Sequence, residues 1–312
     1  MRELVGTTLD HLPAPWFRRL RAAYARAVAD GDRGIRRRTL QAAVALARYR
    51  SLPEDEFTVA DYPDVRLTGA DSVVTSYVYW FGGDGYEGAE TRWWRRACRR
   101  ATSILELGAN VGYYTVQGAR ANPRARYVAV EPHPTSAAIV RRNLELNGLE
   151  HVEVIEAAAT AGGAGGTVSL AIPDQDRYGA PAGAFVPEGG EGVDGIAAAR
   201  TIEVPTVDVQ DLIADVDLLK LDIEGHEAEV LEPVLDDLRA RRPTIFLEVR
   251  LAATSRLRDL LAKLTEGTYA VFAIGRESLH LVPRDELTGA RALPRYGSRD
   301  LMLVDAAAVA EL

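Results

Sequence analysis

The stretch from residue 103 to residue 115 constrains the fold more than any other part of the chain. Residues 104–107 form a mostly apolar run, which predicts a short buried strand. Gly108 and Gly112 then allow the backbone to turn tightly and to approach a ligand closely. A helical pattern resumes at Val111, and the first amide groups of a helix are free to bind a ligand. This order of strand, glycine turn and helix predicts a nucleotide-type binding site.

Two positions in the turn distinguish between nucleotides. A dinucleotide-binding turn has glycine at its first, third and sixth positions, so that a pyrophosphate can lie against bare backbone. Here the third position is Asn110 and the sixth is Tyr113. Glu106, one residue before the first glycine, would repel a pyrophosphate. A carboxylate there favours a cationic ligand, and S-adenosylmethionine (SAM) carries a sulfonium and an ammonium group. We therefore predict SAM as the ligand.

The next predicted strand, residues 125–131, ends in an acidic residue. Glu131 follows the glycine turn by about twenty residues, where a carboxylate can accept hydrogen bonds from both ribose hydroxyls of a nucleotide. Sites for NAD and for SAM share this feature, so Glu131 alone leaves both ligands open.

Four segments together resemble the FkbM family of SAM-dependent methyltransferases. They are residues 106–115, 131–134, 143–147 and 217–227. The resemblance covers roughly residues 70–304, and its most specific piece is the KLDIEGHE run at residues 220–227. It implies a class I Rossmann-like α/β sheet with helices on both faces. It also implies SAM as the methyl donor and a hydroxyl group of a small molecule, such as a sugar or a natural-product scaffold, as the acceptor.

The resemblance extends to candidate cofactor contacts. The family places a Tyr-Glu pair before a helix, near the methionine end of the cofactor, and Tyr86 and Glu87 match that pair. The alternative is that Glu87 only stabilises the first turn of that helix through the helix dipole. The predicted cofactor-binding residues are Glu87, Glu106, Gly108, Asn110, Gly112, Thr115, Glu131 and Asp222.

The chemistry of methyl transfer indicates the catalytic candidates. Donor and acceptor must be held in line, and a hydroxyl acceptor also loses a proton as the new bond forms. We predict Asp222 and His226 as bases, because Asp222 ends a strand beside the cofactor and histidine titrates near neutrality. Glu224 would orient His226 or bind the acceptor. Alternatively, His226 only caps or packs the following helix, and Asp222 only positions the cofactor.

A metal site is a further alternative for the same stretch. Asp222, Glu224, His226 and Glu227 are all able to ligate a metal. Successive residues at a strand end point in different directions, and a catalytic cation requires two or three ligands to converge. We therefore predict that no metal is required.

The rest of the chain divides into an appendage and a catalytic domain. Residues 1–56 predict a helical hairpin that packs on the core or on another subunit, which makes a homodimer one expectation. Residues 57–312 form the predicted methyltransferase domain. Within it, residues 57–79 predict short alternating strands, and residues 160–200 predict an irregular loop that covers the substrate.

The C-terminal part carries further strand and helix signals. A predicted helix over residues 230–241 precedes a strand over residues 244–249, in which Glu248 again lies at the ligand edge. In the family a histidine commonly follows two places later, whereas this chain has Arg250. The segments after residue 268 predict short strands, one of them the reversed edge strand of a class I methyltransferase sheet.

Charge and composition argue against several classes of protein. A net charge of −8 disfavours a nucleic-acid partner. No apolar run is long enough to span a bilayer, no secretory signal is evident, and the single cysteine, Cys98, fits a reducing compartment. We predict a cytoplasmic enzyme without membrane or nucleic-acid partners. An NAD-dependent oxidoreductase, which Asn110 and Tyr113 disfavour, and a non-catalytic SAM-binding protein are the alternatives.

Overall fold

The computed structural model describes ten ranges of the chain. They are residues 14–30, 34–47, 55–68, 72–162, 165–173, 183–186, 198–249, 255–275, 277–287 and 300–311. The described residues up to Gly88 form one compact unit, and those from Ala89 onward form a second. No helix among these ranges is both long enough and apolar enough to cross a bilayer.

The N-terminal unit contains the predicted helical hairpin. Its elements are α1 (Ala14–Ala29), α2 (Ile35–Ala47), β1 (Glu56–Val59), β2 (Tyr62–Thr68), α3 (Val73–Phe81) and a 3₁₀ turn (Gly83–Gly85). Phe17 of α1 is fully buried, and its ring centroid lies 5.9 Å from that of Trp80 in α3. The guanidinium of Arg21 lies 4.2 Å from the centroid of the Tyr79 ring and donates a hydrogen bond to the carbonyl of Thr58. The hairpin thus packs on its own unit, and contact with another subunit stays a prediction.

The prediction of alternating strands over residues 57–79 is wrong for its second half. Strands β1 and β2 do pair as an antiparallel hairpin, but Val73–Phe81 is helical. The side-chain oxygen of Ser72 accepts a hydrogen bond from the amide of Val74 and so caps the helix. Although β-branched residues favour strands locally, this segment is buried on most of its surface, and packing decides its conformation.

The second unit is built around a large mixed sheet. From Gly88 onward the elements are α4 (Gly88–Cys98), β3 (Ser103–Leu107), α5 (Tyr113–Ala121), β4 (Arg126–Val130), α6 (Pro134–Asn147), β5 (Val152–Ile155), β6 (Ala158–Thr160), β7 (Thr167–Pro173), β8 (Ala198–Asp208), α7 (Val209–Ile213), β9 (Leu218–Leu221), α8 (Glu227–Leu231), α9 (Leu235–Arg241), β10 (Thr244–Glu248), α10 (Ser255–Thr265), β11 (Tyr269–Ile274), β12 (Leu279–Leu281), α11 (Arg284–Leu287) and β13 (Asp300–Asp305).

Eight strands of this unit form the sheet, in the order β12-β11-β13-β10-β9-β3-β4-β5. The five strands from β10 to β5 run parallel, so their carboxyl ends meet at one edge of the sheet. Strand β13 runs antiparallel to both of its neighbours, β10 and β11. This topology confirms the predicted Rossmann-like α/β fold, with helices on both faces.

The position of the reversed strand differs from the prediction. Strand β13 lies inside the sheet, between β10 and β11, and not at its edge. Its central four residues are buried, as an interior strand requires, whereas the edge strand β12 is short and mostly exposed.

Two further segments differ from their predictions. The predicted helix over residues 230–241 is interrupted by a 3₁₀ turn at Glu232–Val234, because Pro233 lacks the amide hydrogen that a continuous helix needs. The ends of the predicted loop over residues 160–200 are strands: β8 pairs antiparallel with β7 and parallel with β6. Residues 174–182 and 187–197 lie outside the described residues, so a covering role for them stays a prediction.

Candidate active site

The glycine turn after β3 is held by the backbone of neighbouring strands. The amides of Gly108 and Ala109 both donate to the carbonyl of Val130 at the end of β4, at 2.9 and 3.0 Å. Gly108 has a φ of +87°, and a Cβ atom there would lie 1.8 Å from the carbonyl oxygen of Asp222. Only glycine fits this position. The turn therefore lies directly against the end of β9.

A helix secures the other end of the turn. Gly112, with a φ of +77°, directly precedes α5, and a Cβ atom there would lie only 3.2 Å from atoms of Val140 in α6. The carboxamide of Asn143, also in α6, donates to the carbonyl of Val111 at 2.7 Å. Asn143 belongs to one of the segments that resemble the FkbM family, and this contact gives it a structural role.

Asn110 and Glu131 connect the turn to the end of β4. The amide of Asn110 donates to Glu131 Oε2 at 2.7 Å, and the amide of His133 donates to Oε1 at 2.8 Å. Burial raises the pKa of the Glu131 carboxyl to about 8, although these two hydrogen bonds oppose the shift. Asn110 has a φ of +52°, and its buried Oδ1 has no hydrogen-bond partner among the described residues. That oxygen is free to bind a ligand at the turn.

Glu106 lies inside the sheet. Its carboxylate is 1% exposed and accepts a hydrogen bond from the Tyr127 hydroxyl at 2.5 Å. Burial raises the pKa of Glu106 to about 7, and the hydrogen bond from Tyr127 and the positive charge of Lys220 lessen the shift. This carboxylate would therefore act on a ligand through its charge and its hydrogen-bond network.

The end of β9 brings Asp222 to the same edge. The amide of Asp222 donates to the carbonyl of Leu107, the last residue of β3, at 3.1 Å. Its side chain is 23% exposed, and Oδ2 accepts a hydrogen bond from Lys220 Nζ at 3.1 Å. The backbone of Asp222 thus lies next to the glycine turn, and its side chain is partly exposed.

Three carboxylates converge beside Asp222. Asp222, Glu224 and Glu248 each place an oxygen within 4.8 Å of the others. Burial, followed by the charges of Asp222 and Glu224, raises the pKa of Glu248 to about 9. Oxygen ligands in this arrangement suit a hard divalent cation. The absence of a required metal therefore stays a prediction.

The other two candidate ligands of this stretch, Glu227 and His226, do not belong to this group of carboxylates. Glu227 is 2% exposed and accepts a hydrogen bond from the amide of Gly225 at 3.0 Å. His226 is 7% exposed and precedes the first residue of α8. The position of His226 fits the alternative in which it packs the start of that helix, and its role as a base stays a prediction.

Glu87 lies in the N-terminal unit. It is half-buried and has a φ of +43° in the turn before α4. A left-handed conformation in a residue other than glycine is unusual and often marks a functional position. Its contact with the methionine end of the cofactor stays a prediction.

Sequence reasoning assigned no role to Glu90 or Lys220, and it placed Glu248 only at the ligand edge of the sheet. Lys220 is 2% exposed in the fourth parallel strand, and its Nζ lies 3.2 Å from Glu90 Oε1 in α4. A lysine within a strand that is apolar on both faces is a signal in the sequence, because an unpaired charge would be unfavourable there. The identity of its partner was not readable, since Glu90 lies far away in the chain.

The reversed strand inside the sheet, with the glycine turn and its acidic partner at the parallel edge, defines the class I methyltransferase fold. The FkbM methyltransferase domain model matches residues 106–271, which is more than half of the chain. The chain therefore belongs to the FkbM methyltransferase family.

Individual relatives are more distant. Over 156 residues the chain is 26% identical to methyltransferase sdnD of Sordaria araneosa, a match that covers 42% of the chain and 60% of that protein. The FkbM methyltransferase structure from Methylobacillus flagellatus is 12% identical, with 75% of this chain and 55% of that chain covered and a TM-score of 0.40. The O-methyltransferase TomG of Streptomyces achromogenes, solved with SAM, is 14% identical, with 70% and 80% covered and a TM-score of 0.38.

Proposed function

We propose that this protein transfers a methyl group from SAM to a hydroxyl group of a small-molecule acceptor, such as a sugar or a natural-product scaffold. The observation that carries the proposal is the turn at Asn110, where a buried amide oxygen has no hydrogen-bond partner among the described residues. Membership of the FkbM family supports the donor. The net charge of −8 favours a small molecule over a nucleic acid as the acceptor.

The residues around the turn fit the polar groups of SAM. Each oxygen of Glu131 accepts one backbone amide and keeps a second lone pair, which can accept a ribose hydroxyl. Asn110 Oδ1 can accept a hydrogen bond from an adenosyl hydroxyl or amino group. Glu106 and Asp222 supply negative charge that would attract the sulfonium and ammonium groups. Gly108 and Gly112 keep the backbone free of side chains where the ligand would approach.

The proton of the acceptor is the remaining chemical requirement. The chemistry that SAM supplies when bound is a methyl group on a sulfonium leaving group. Asp222 is the proposed base, because its side chain is partly exposed at the end of β9, next to the glycine turn. Glu224 would orient the acceptor hydroxyl. His226 is the second proposed base, and its burial means that it would act only on a group that enters the site deeply.

A methyl-transfer assay tests the function. The purified protein is incubated with deuterium-labelled SAM and a panel of hydroxylated sugars and aromatic or polyketide alcohols, and products are detected by mass spectrometry. We expect at least one product that carries a labelled methyl group on oxygen. We expect the rate to fall by about 100-fold in Asp222→Asn, in line with the loss of a general base. A labelled methyl group on carbon or nitrogen would contradict the proposal that a hydroxyl is the acceptor. An unchanged rate in Asp222→Asn would contradict the proposal that Asp222 is the base.

A further inference from the structure

Lys220 is a buried cation that joins the interior of the sheet to its ligand edge. Its side chain is 2% exposed, and its Nζ lies 3.2 Å from Glu90 Oε1 and 3.1 Å from Asp222 Oδ2. The ammonium also lies 4.4 Å from the centroid of the Tyr114 ring, within the range of a cation–π contact. Groups from β9, α4 and α5 therefore surround a single charge.

The two carboxylates that bind Lys220 differ in their surroundings. The side chain of Glu90 is 4% exposed, and hydrogen bonds from Lys220 and Tyr114 oppose the effect of burial, which raises its pKa. Asp222 is 23% exposed, and its carbonyl occupies the space beside Gly108. Glu90 is thus an interior anchor for the ammonium, whereas Asp222 lies at the site.

The acidic neighbours of Asp222 explain why a cation is needed to keep its carboxylate in place. Glu224 and Glu248 each bring a carboxyl oxygen within 4.8 Å of it. The negative charges of Asp222 and Glu224 repel each other, which favours rotamers that separate them, unless a cation holds one carboxylate in place. Lys220 cannot follow such a movement, since Glu90 and Tyr114 hold its ammonium inside the sheet.

We propose that Lys220 is a positioning residue: anchored by Glu90, it fixes the Asp222 carboxylate at the cofactor site beside Gly108. The inference rests on the proposed function, because that function assigns Asp222 to the cofactor. The competing role is purely structural, in which Lys220 only neutralises Glu90 in the interior. If Lys220 is a positioning residue, its removal weakens ligand binding only while Asp222 is present. If its role is purely structural, the effect of its removal on ligand affinity does not depend on Asp222.

A double-mutant cycle on ligand affinity separates the two roles. The probe is S-adenosylhomocysteine, titrated calorimetrically into the wild type, Glu90→Gln/Lys220→Met, Asp222→Ala and the combined triple variant. The pair Glu90→Gln/Lys220→Met removes both interior charges together, so that no unpaired buried charge remains. Lys263→Met, a charge removal on the exposed face of α10, is the matched control and should bind like the wild type.

We expect the charge-balanced pair to bind about tenfold more weakly, and the triple variant to bind within about twofold of Asp222→Ala, because contacting residues show non-additive effects. Wild-type affinity in Glu90→Gln/Lys220→Met would overturn the inference and leave the proposed function standing. So would a triple variant whose loss of affinity equals the product of the losses in Glu90→Gln/Lys220→Met and in Asp222→Ala. Absence of binding in the wild type itself would overturn both.

Glu90→Gln/Lys220→Gln replaces the pair if the methionine variant does not unfold cooperatively. The two glutamine side chains of this variant keep hydrogen-bonding groups in the interior. The glutamine at position 220, however, is one atom shorter than lysine and does not extend to the position of the ammonium. We expect the same weakening of about tenfold through loss of the bond to Asp222. Wild-type affinity in this variant would equally overturn the inference.

Discussion

The glycine turn after β3 and the end of β9 lie side by side, yet they are built in different ways. The turn is held by backbone amides and carbonyls, and its shape depends on positive φ angles at Gly108, Asn110 and Gly112. The end of β9 is held by side-chain charges, with Lys220 between Glu90 and Asp222. Changes in the turn should therefore act through shape, and changes in the charged group through electrostatics. The predictions below test that difference, beginning with the largest effect.

Gly108→Val should abolish binding of S-adenosylhomocysteine, with a loss of more than about 100-fold, because its side chain would overlap the Asp222 carbonyl and displace the turn. Gly148→Ala is the matched control: Gly148 also has a positive φ, but a Cβ atom there meets nothing within 4 Å. Only a stability loss of about 1 kcal/mol is expected for the control. Calorimetric titration and thermal unfolding of both variants measure these effects. Wild-type affinity in Gly108→Val would show that the turn tolerates a change of shape.

Lys220→Met should destabilise the protein by about 3–5 kcal/mol, because it leaves Glu90 charged and unpaired in the interior. Urea denaturation of Lys220→Met and of Glu90→Gln/Lys220→Met measures the effect. The double variant should recover most of the lost free energy of unfolding. If the two variants are equally unstable, the stability around Lys220 depends on the shape of the side chains and not on their charge. The end of β9 would then not differ from the glycine turn in the way described above.

Asn110→Gly should weaken binding of S-adenosylhomocysteine by about tenfold, the value of one hydrogen bond from a buried group. Glycine adopts the φ of +52° without strain, so the substitution removes the amide oxygen and leaves the turn intact. The free energy of unfolding should change little. Unaltered affinity would mean that the buried oxygen does not contact the cofactor.

The pH dependence of stability should carry the signature of Glu131. Its pKa is raised to about 8 in the folded protein, so the folded state binds more protons than the unfolded state above the ordinary carboxyl pKa. This contribution to stability is complete below the unfolded pKa and is lost as the pH rises through the folded one.

Measuring the free energy of unfolding between about pH 5 and about pH 8 should therefore show a shallower decline in Glu131→Gln than in the wild type, by about 3 kcal/mol across the range. If the free energy of unfolding depends on pH in the same way in both proteins, the pKa of Glu131 does not change on folding.

The same contrast explains how much the sequence could reveal. Local patterns predicted β3, the glycine turn and the helix Pro134–Asn147, because each depends on residues that are close together in the chain. The helix Val73–Phe81 was mistaken for strands, since its β-branched residues gave a local signal that burial overrides. The break at Pro233 was readable in principle, because proline cannot continue the backbone hydrogen bonding of a helix.

The charged region was less predictable. Asp222 was found because it ends a strand, but the pairing of Lys220 with Glu90 depends on how α4 packs against the sheet. The approach of Glu248 to Asp222 likewise depends on the register between β9 and β10. Long-range packing of this kind leaves no periodic pattern in the sequence.

Calorimetric titration of the wild-type protein with S-adenosylhomocysteine, with NAD in a parallel cell, tests the central claim most directly. The account predicts a dissociation constant of about 1–100 μM for S-adenosylhomocysteine, which is about −8 to −5 kcal/mol of binding free energy, and no measurable heat with NAD. Binding of NAD, or no binding of S-adenosylhomocysteine, would contradict the assignment of the glycine turn as a SAM site.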